Sequence, residues 1–222
     1  MSWRKKLRVD LIEAMDKRVD GLIKNLQKRN ITGIYCANKE EAAKKILEII
    51  PSSVSIGLSG SKTLDQLGVV KTLEERGNLI FNQYQSGIKR EESLELRRKG
   101  AQADYYLASA NAVSETGELI FFSGYGNRTA GVSYAKNLIV ACGINKLAKD
   151  LDAALKRARE LATPLNCKRL NWASACLGEG VCRNEICFAP EYKRMCCQIL
   201  VIEAEITPDR VKVILVNENL GF

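Results

Sequence analysis

The sequence contains no histidine. Imidazole is the side chain that most often transfers protons near neutral pH, and it is also a frequent metal ligand. Its absence excludes catalytic mechanisms that depend on an imidazole base, including the serine and cysteine triads. Any metal site must therefore use sulfur, carboxylate or backbone ligands.

Long apolar stretches are also missing. The longest such run lies near Leu138 to Ile144, which is far too short to cross a bilayer. The amino-terminal residues are charged from Arg4 onward, and this is not typical of a signal peptide. These features predict a soluble, cytoplasmic protein without a membrane span.

Aromatic residues make up only 6% of the chain, and no motif for reading nucleobases accompanies its formal charge of +8. Within residues 1–30, nine Lys and Arg face four Asp and Glu. These charges alternate in sign along a segment with helical periodicity, which is typical of a solvated helix face. A basic surface can attract nucleic acid, but we favour the solvated face and expect no nucleic-acid partner.

Apolar residues recur at regular spacings along most of the chain. Residues 1–30 predict an amphipathic helix that needs a surface to lie on. Strands then alternate with helices, which predicts one α/β domain over residues 31–222, with a mostly parallel sheet and helices on both faces. The final apolar runs, Ile199 to Ile206 and Val211 to Val216, predict a C-terminal β-hairpin. Further strands are predicted at Ile31 to Ala37, Val54 to Leu58, Leu79 to Phe81, Tyr105 to Ser109, Leu119 to Phe122 and Asn137 to Cys142, and helices at Glu40 to Ile50, Leu64 to Leu73, Glu91 to Lys99 and Lys149 to Leu161.

Polar loops follow several of the predicted strands, at Ser59 to Thr63, Asn111 to Gly117, Gly124 to Arg128 and Gly143 to Lys146. In parallel sheets, ligands bind at the carboxyl ends of the strands. We therefore predict a site for a small anionic metabolite there, with Arg128 or Lys146 pairing with a carboxylate. The candidate ligand-binding residues are Gly57, Ser59, Gly60, Ser61, Thr63, Asn111, Gly126, Asn127, Arg128, Asn145 and Lys146.

Two simpler interpretations of these loops stay open. Ser59 or Ser61 could cap the helix that follows, and the segment from Ala110 to Arg128 could be a hairpin with ordinary turns. The glycine and lysine spacing after Ser59 matches neither a Walker loop nor the dinucleotide fingerprint, so no nucleotide cofactor is expected. If the site is catalytic, Glu115 and Glu118 are the candidates for general base or nucleophile.

Six of the eight cysteines lie between Cys167 and Cys197, whereas Cys36 and Cys142 lie in apolar runs typical of the core. Cys176, Cys182, Cys187 and Cys196 are separated by five, four and eight residues. Four thiolates can bind zinc or an iron–sulfur cluster. We predict a metal or cluster on these four thiols, with Cys167 as a substitute ligand, and keep free thiols and disulfides as alternatives.

Motifs along nearly the whole chain after the first helix carry a family resemblance. They are SIGLSGSKTLDQLG (55–68), ADYYLASANAVSETGELI (103–120), GNRTAG (126–131), VACGINK (140–146), PLNCKRLN (164–171), the cysteine-rich segment (167–197) and VKVILVNENLGF (211–222). Together they resemble the LUD-domain family, which is named for lactate utilisation and includes the lactate-utilisation protein C group. The resemblance implies a Rossmann-like α/β fold similar to those of sugar-phosphate isomerases and coenzyme A transferases.

The resemblance also implies a role as subunit or accessory of an iron–sulfur oxidoreductase system that oxidises lactate to pyruvate. The alternative is a non-catalytic metabolite sensor or scaffold with a metal-stabilised cysteine segment. The sequence departs from the family at Thr129, where a valine usually follows the arginine, and in the wide spacing of the middle cysteine pair. It leaves the oligomeric state open.

Overall fold

The computed structural model describes residues 17–222, which contain two β-sheets. Along the chain the strands are β1 (Thr32–Cys36), β2 (Ser55–Leu58), β3 (Leu79–Phe81), β4 (Tyr105–Ala108), β5 (Ala112–Ser114), β6 (Leu119–Ser123), β7 (Asn137–Gly143), β8 (Leu147–Ala148), β9 (Gln198–Ile202) and β10 (Val211–Val216). The larger sheet has the order β1-β10-β7-β4-β2-β3, and all of its neighbouring strands run parallel. The smaller sheet has the order β8-β5-β6-β9, in which β5 and β6 form an antiparallel hairpin.

Helices connect most of the strands of the larger sheet. They are α1 (17–28), α2 (Lys39–Ile49), α3 (Lys62–Leu67), α4 (Val69–Glu75), α5 (Arg90–Ala101), α6 (Asn127–Tyr134), α7 (Leu151–Arg157) and α8 (Thr163–Arg169). The earlier part of the predicted N-terminal helix, residues 1–16, lies outside the described residues. No helix within residues 17–222 is long and apolar enough to cross a membrane.

Both faces of the larger sheet are buried, as the side chains of its central strand β7 demonstrate. Leu138, Val140 and Cys142 point into one core, which includes residues of α1, α6 and the β5–β6 hairpin. Ile139 and Ala141 point into the other core, with residues of α2, α3 and α4. Because successive side chains of a strand face opposite sides, a strand covered on both faces must be apolar at successive positions, as β7 is from Leu138 to Cys142. The predicted α/β fold with a mostly parallel sheet and helices on both faces is confirmed.

The two predicted C-terminal strands are present, but their predicted pairing as a hairpin is wrong. β9 pairs antiparallel with β6 in the smaller sheet, whereas β10 lies between β1 and β7 in the larger one. β10 carries buried residues on successive positions from Val213 to Val216. A strand with both faces buried belongs inside a parallel sheet rather than at the end of an exposed hairpin.

The single helix predicted from Lys149 to Leu161 is also corrected. It is divided into α7, a π-helical turn at Ala158–Ala162 and α8. Pro164 lies in the first turn of α8, where its missing N–H is tolerated. The extra residue of the π turn rotates the helix, and Leu161 is 47% exposed.

Candidate functional site

A cavity of about 790 Å³ opens at the carboxyl ends of the strands of the larger sheet. Its wall includes the loop after β2, the loop between β6 and α6, Asn111, and residues of α4, α5 and α8. A smaller cavity of about 40 Å³ lies beside it and is also lined by Lys146 and Ser109. The two cavities share Gly60, Ser61, Asn111, Arg128 and Asn166. Several predicted loops therefore meet at one site.

Arg128 stands in the wall between the two cavities, and only neutral oxygens bind its guanidinium. One terminal nitrogen donates to Asn111 Oδ1 (3.2 Å) and to the carbonyl of Phe122 (2.9 Å), and the other donates to the carbonyl of Gly60 (2.6 Å). Its buried Nε has no hydrogen-bond partner in the described residues. Burial lowers the pKa of this guanidinium. The side chain is thus held in place while its charge lacks a carboxylate.

Lys146 is 4% exposed and projects from the turn that follows β7. Its Nζ donates to Thr63 Oγ1 (2.9 Å), Ser109 Oγ (2.8 Å) and the carbonyl of Ala110 (3.3 Å). Burial lowers the pKa of Lys146 to about 8. Fully buried lysines are rare unless a carboxylate pairs with them, and within residues 17–222 no carboxylate does so here.

A third cation, Arg157 of α7, completes a cluster around Asn111. Its Nη1 donates to the carbonyl of Asn111 (2.6 Å), and its Nε donates to the carbonyl of Asn145 (3.1 Å). Arg128 and Arg157 are both close enough to Lys146 to lower its pKa further. We call Arg128, Lys146 and Arg157 the cation cluster. None of the three has an ion-pair partner in the described part of the chain.

The wall of the larger cavity has an excess of positive charge and several aromatic rings. Its cations outnumber its carboxylates: they are Lys71, Arg97, Arg128 and Arg169, against Asp65 and Glu74. The Arg97 guanidinium lies over the rings of Tyr84 (5.6 Å) and Tyr125 (4.8 Å), and its Nε has no partner among the described residues. The hydroxyl of the buried Ser59 likewise has none. Buried polar atoms without a protein partner are commonly satisfied by an ordered water, an ion or a ligand.

An anion-binding loop presents free backbone amides to its ligand, and the loop after β2 uses its polar groups in other ways. Ser61 Oγ accepts the backbone N–H of Leu64 (3.3 Å), so it caps α3, as the simpler interpretation allowed. The Gly60 N–H donates to Tyr84 Oη (2.9 Å). Thr63 is buried, and its hydroxyl accepts hydrogen bonds from Lys146 (2.9 Å) and Ser109 (3.2 Å), which line the smaller cavity. The loop therefore positions Lys146 and Arg128 more than it offers free amides.

Three of the predicted ligand-binding residues have a structural role at their positions. A Cβ on Gly57 would lie 1.9 Å from the carbonyl oxygen of Gly100, so this glycine allows α5 to approach β2 closely. Gly126 adopts φ 81° at the start of α6, where glycine is favoured. Asn145 Oδ1 accepts the N–H of Leu220 (3.0 Å) and so holds the last residues against the smaller cavity. Asn127, in contrast, lines the larger cavity and accepts a hydrogen bond from Arg97 (3.3 Å).

Neither predicted catalytic glutamate lines a cavity. Glu115 accepts from Nε of Arg18 (3.0 Å) in α1, and Glu118 pairs with Arg29 just after that helix. Burial raises the pKa of Glu118, but the hydrogen bonds from Ser114 and Thr116 and the charge of Arg29 outweigh it, so that the pKa lies below its ordinary value. The two carboxylates hold α1 to the β5–β6 hairpin and do not line these two cavities, and their catalytic role stays a prediction.

The cysteine-rich segment contains turns and loops over residues 171–197. Cys176, Cys187 and Cys196 are buried, Cys182 is half-buried, and all are free thiols. Burial raises the pKa of Cys167 to about 12, and the nearby Cys176 and Cys196 add to this shift. The thiols thus lie near one another, but among residues 17–222 no three Cys, Asp or Glu side chains are arranged to hold a metal ion. The metal assignment stays a prediction.

Sequence patterns alone did not reveal several residues of this site. Arg97 and Arg157 lie on helices whose charged residues are normally solvated, and Tyr84 and Trp172 lie in loops of low periodicity. The only local signal for Arg157 is its place in the last turn of α7, where a cation is favoured by the helix dipole. That signal cannot distinguish a buried cation from an exposed one.

One solved structure shares the observed fold, and two others have a weaker likeness. A DUF162 family protein from Deinococcus radiodurans is 10% identical, with a TM-score of 0.54, over 91% of this chain and 98% of that one. Ribose 5-phosphate isomerase A from Methanocaldococcus jannaschii (20% identity, TM-score 0.34) and from Neisseria gonorrhoeae (18%, 0.35) each match 51% of this chain, and 55% and 54% of their own. No curated protein sequence matches the chain. The sequence model of the LUD domain matches residues 19–216, and the chain therefore belongs to the LUD domain family.

Proposed function

We propose that the two adjoining cavities bind a small metabolite that carries a carboxylate or phosphate group. The observation that carries this proposal is the cation cluster, in which Arg128, Lys146 and Arg157 meet around Asn111 with no carboxylate partner in the described residues. Like charges gathered away from water repel each other and lose hydration. A bound anion would offset both costs.

The shape of Arg128 favours a planar anionic group. Its fork of N–H donors matches the two oxygens of a carboxylate or phosphate, and its unpartnered Nε is one such donor. The guanidinium is already held by three backbone or amide oxygens. A side chain fixed before binding loses little conformational entropy when the ligand arrives.

The proposal is tested by thermal shift and calorimetry with inorganic phosphate, lactate and pyruvate. A ligand that binds the folded state raises its apparent stability. We expect Arg128→Gln to weaken binding of the responding anion at least about tenfold, since one charge-assisted hydrogen bond contributes about 1.5–3 kcal/mol. Arg128→Lys keeps the charge without the fork of donors, so its anion affinity should lie between those of the wild type and Arg128→Gln.

Two neighbouring residues of α5 provide a matched control. Arg97 lines the larger cavity, whereas the side chain of Arg98 is 73% exposed and faces Glu95. Arg97→Gln should weaken anion binding, and Arg98→Gln should not. Equal losses in the two variants would indicate a general electrostatic effect rather than a site, and the absence of any shift in the wild type with all three anions would contradict the proposal.

We further propose that the protein serves a lactate-oxidising iron–sulfur oxidoreductase system as a subunit or accessory. The support for this is membership of a family named for lactate utilisation. The test is lactate-dependent dye reduction by the iron–sulfur subunits of a lactate-oxidising system, measured with and without this protein. An unchanged rate, together with no co-elution of the proteins, would contradict the role.

A second candidate function is metabolite sensing without turnover. It is favoured by the placement of Glu115 and Glu118, the sequence's candidates for proton transfer, in ion pairs away from the cavities. A sensor should bind its anion and return it unchanged after prolonged incubation. Mass spectrometry of the recovered ligand distinguishes the two functions, because any new product identifies an enzyme.

A further inference from the structure

We propose that Lys146 is a nucleophile that forms an imine with the carbonyl carbon of a small anionic oxo compound bound at the two cavities. The inference rests on the proposed anion binding and adds a covalent step to it. It also gives Lys146 a role other than the carboxylate partner that the sequence suggested.

The position of Lys146 supports this role. The residue follows β7, near the middle of the larger sheet, and lines the smaller cavity together with Arg128 and Asn111. A cavity of about 40 Å³ has room for a small group such as a carbonyl, and the adjoining larger cavity can take the rest of the molecule. An anionic group held by Arg128 would therefore leave a neighbouring carbonyl within the cavity that Lys146 lines.

The surroundings of Lys146 favour the reactive, uncharged amine. Only neutral oxygens accept hydrogen bonds from its Nζ, and two arginines contribute nearby positive charge. Burial and neighbouring cations are the two features that activate a lysine for attack on a carbonyl. With a pKa of about 8, about a tenth of the side chains would carry no proton at pH 7.

A purely structural role explains the arrangement less well. Three neutral hydrogen bonds offset only part of the cost of burying an ammonium group. A lysine without a carboxylate partner, placed where a ligand cavity meets the strand ends, is the pattern expected of a residue retained for chemistry.

The step balances without an oxidant or reductant. The Nζ lone pair attacks the carbonyl carbon, and the electrons of the C=O π bond move to oxygen, which takes up a proton. Loss of that hydroxyl as water, together with a proton from nitrogen, leaves the C=N bond. The hydroxyls of Thr63 and Ser109, 2.9 and 2.8 Å from Nζ, are placed to relay these protons.

The experiment is reductive trapping with two probes, pyruvate and dihydroxyacetone phosphate, each with sodium borohydride. We expect one covalent adduct per chain, with the mass of the reduced imine, and peptide mapping that assigns it to Lys146. Lys62 lines the same smaller cavity but is exposed, so it serves as an internal comparison that should remain unmodified. An adduct with pyruvate alone identifies an oxo-acid site, and one with the phosphate alone identifies a phosphate site.

Lys146→Arg keeps the positive charge and removes the nucleophile, so it should form no adduct. Lys149→Arg, at an exposed position three residues later, should trap as the wild type does. If the wild type forms no adduct on Lys146 with either probe, or if exposed lysines are labelled equally, the imine proposal is overturned. If the anion still raises the thermal stability in that case, the proposed anion binding is retained. Loss of both the shift and the adduct overturns both proposals, and mapping of the wild type decides even if a variant fails to fold.

Discussion

At the scale of single residues, Asn111 holds the cation cluster together. Its Oδ1 accepts from Arg128 and from the backbone N–H of Phe122 (2.9 Å), and its carbonyl accepts from Arg157. Its side-chain nitrogen donates no hydrogen bond to the described residues. Because Asn111 is uncharged, its two oxygens accept from two arginines without neutralising either of them. This keeps the positive charge available to a ligand.

The substitution Asn111→Asp should therefore change stability and binding in opposite directions. A carboxylate of nearly the same shape would pair with Arg128 and raise the free energy of unfolding by about 1–3 kcal/mol. It would also repel an incoming anion and weaken its affinity at least tenfold, or about 1.4 kcal/mol. Urea unfolding and calorimetry measure the two effects. A variant that loses stability but binds the anion normally would contradict the proposed cluster.

Lys146 should also make stability depend on pH in a defined direction. Its folded-state pKa of about 8 lies below the value of about 10.4 for an unfolded lysine. Between these values the unfolded state binds more protons, so stability rises with pH through this window. The free energy of unfolding of the wild type, relative to Lys146→Met, should increase by up to about 3 kcal/mol from pH 7.5 to pH 10. Lys149→Met, at an exposed site, should leave this pH dependence unchanged, and a flat wild-type difference would contradict the burial cost.

At the scale of elements, α1 is fastened to the β5–β6 hairpin by charge as well as by packing. Arg29 donates to the carbonyl of Thr116 (2.8 Å) and pairs with Glu118, and Asn25 donates to the carbonyl of Glu115 (2.8 Å). Leu22 and Leu26 of the same helix lie in the core with residues of the hairpin. The β5–β6 hairpin, which contains the candidate catalytic residues Glu115 and Glu118, therefore holds α1 in place.

Exchanging Glu118 for Gln should therefore affect folding and not function. The side chain of Glu118 is 11% exposed and that of Arg29 is 25% exposed, so loss of the charge should lower stability by about 1–3 kcal/mol. Glu115→Gln, whose partner Arg18 is 43% exposed, should cost less than about 1 kcal/mol. Both variants should keep the anion affinity of the wild type. Loss of turnover at full affinity would instead restore the catalytic role that the sequence suggested.

The cysteine-rich segment gives the second prediction at this scale. Its thiols lie near one another on loops with little regular structure, and metal–sulfur bonds would order such a segment. If it binds metal, protein purified anaerobically should contain zinc or iron, and Cys176→Ser with Cys196→Ser should remove it. Elemental analysis is the measurement. A content of either metal below about a tenth of an equivalent would rule out this form of the segment.

Long apolar strands could be predicted from the sequence, whereas very short strands could not. β2 and β7 were located within two residues because both consist of buried, mostly apolar residues. β5 and β8, of three and two residues, are too short to show a period. The pairing of β9 and β10 was wrong because adjacency in sequence favours a hairpin, and only the whole core shows that β10 belongs in the centre.

The same distinction applies to the site. Asn111, Arg128 and Lys146 could be predicted to lie together because polar residues after buried strands meet at one edge of a parallel sheet, and all three line the smaller cavity. Glu115 and Glu118 satisfied the same rule but follow a strand of the smaller sheet, whose turn faces α1. Arg157 could not be found, because periodicity does not reveal that a π turn and α8 would enclose the end of α7.

At the scale of the whole molecule, the two sheets form different parts of the cavity wall. The larger sheet brings β2, β4 and β7 side by side and so gathers Thr63, Ser109 and Lys146 at one edge. The smaller sheet closes one side of the same edge through Phe122 and Ser123 at the end of β6. The cavity lies where the two sheets and α8 meet, and substitutions in any one of them should alter it.

The central place of β10 has a consequence for the order in which the protein is made. It is the last of the described strands to leave the ribosome, yet it is the strand that joins β1 to β7. The residues just after it finish the smaller cavity, where Gly221 and Phe222 form part of the wall and the carbonyl of Leu220 accepts from Thr63 (3.2 Å). A nascent chain that still lacks β10 and the residues after it therefore has no strand to join β1 to β7, and its smaller cavity lacks part of its wall.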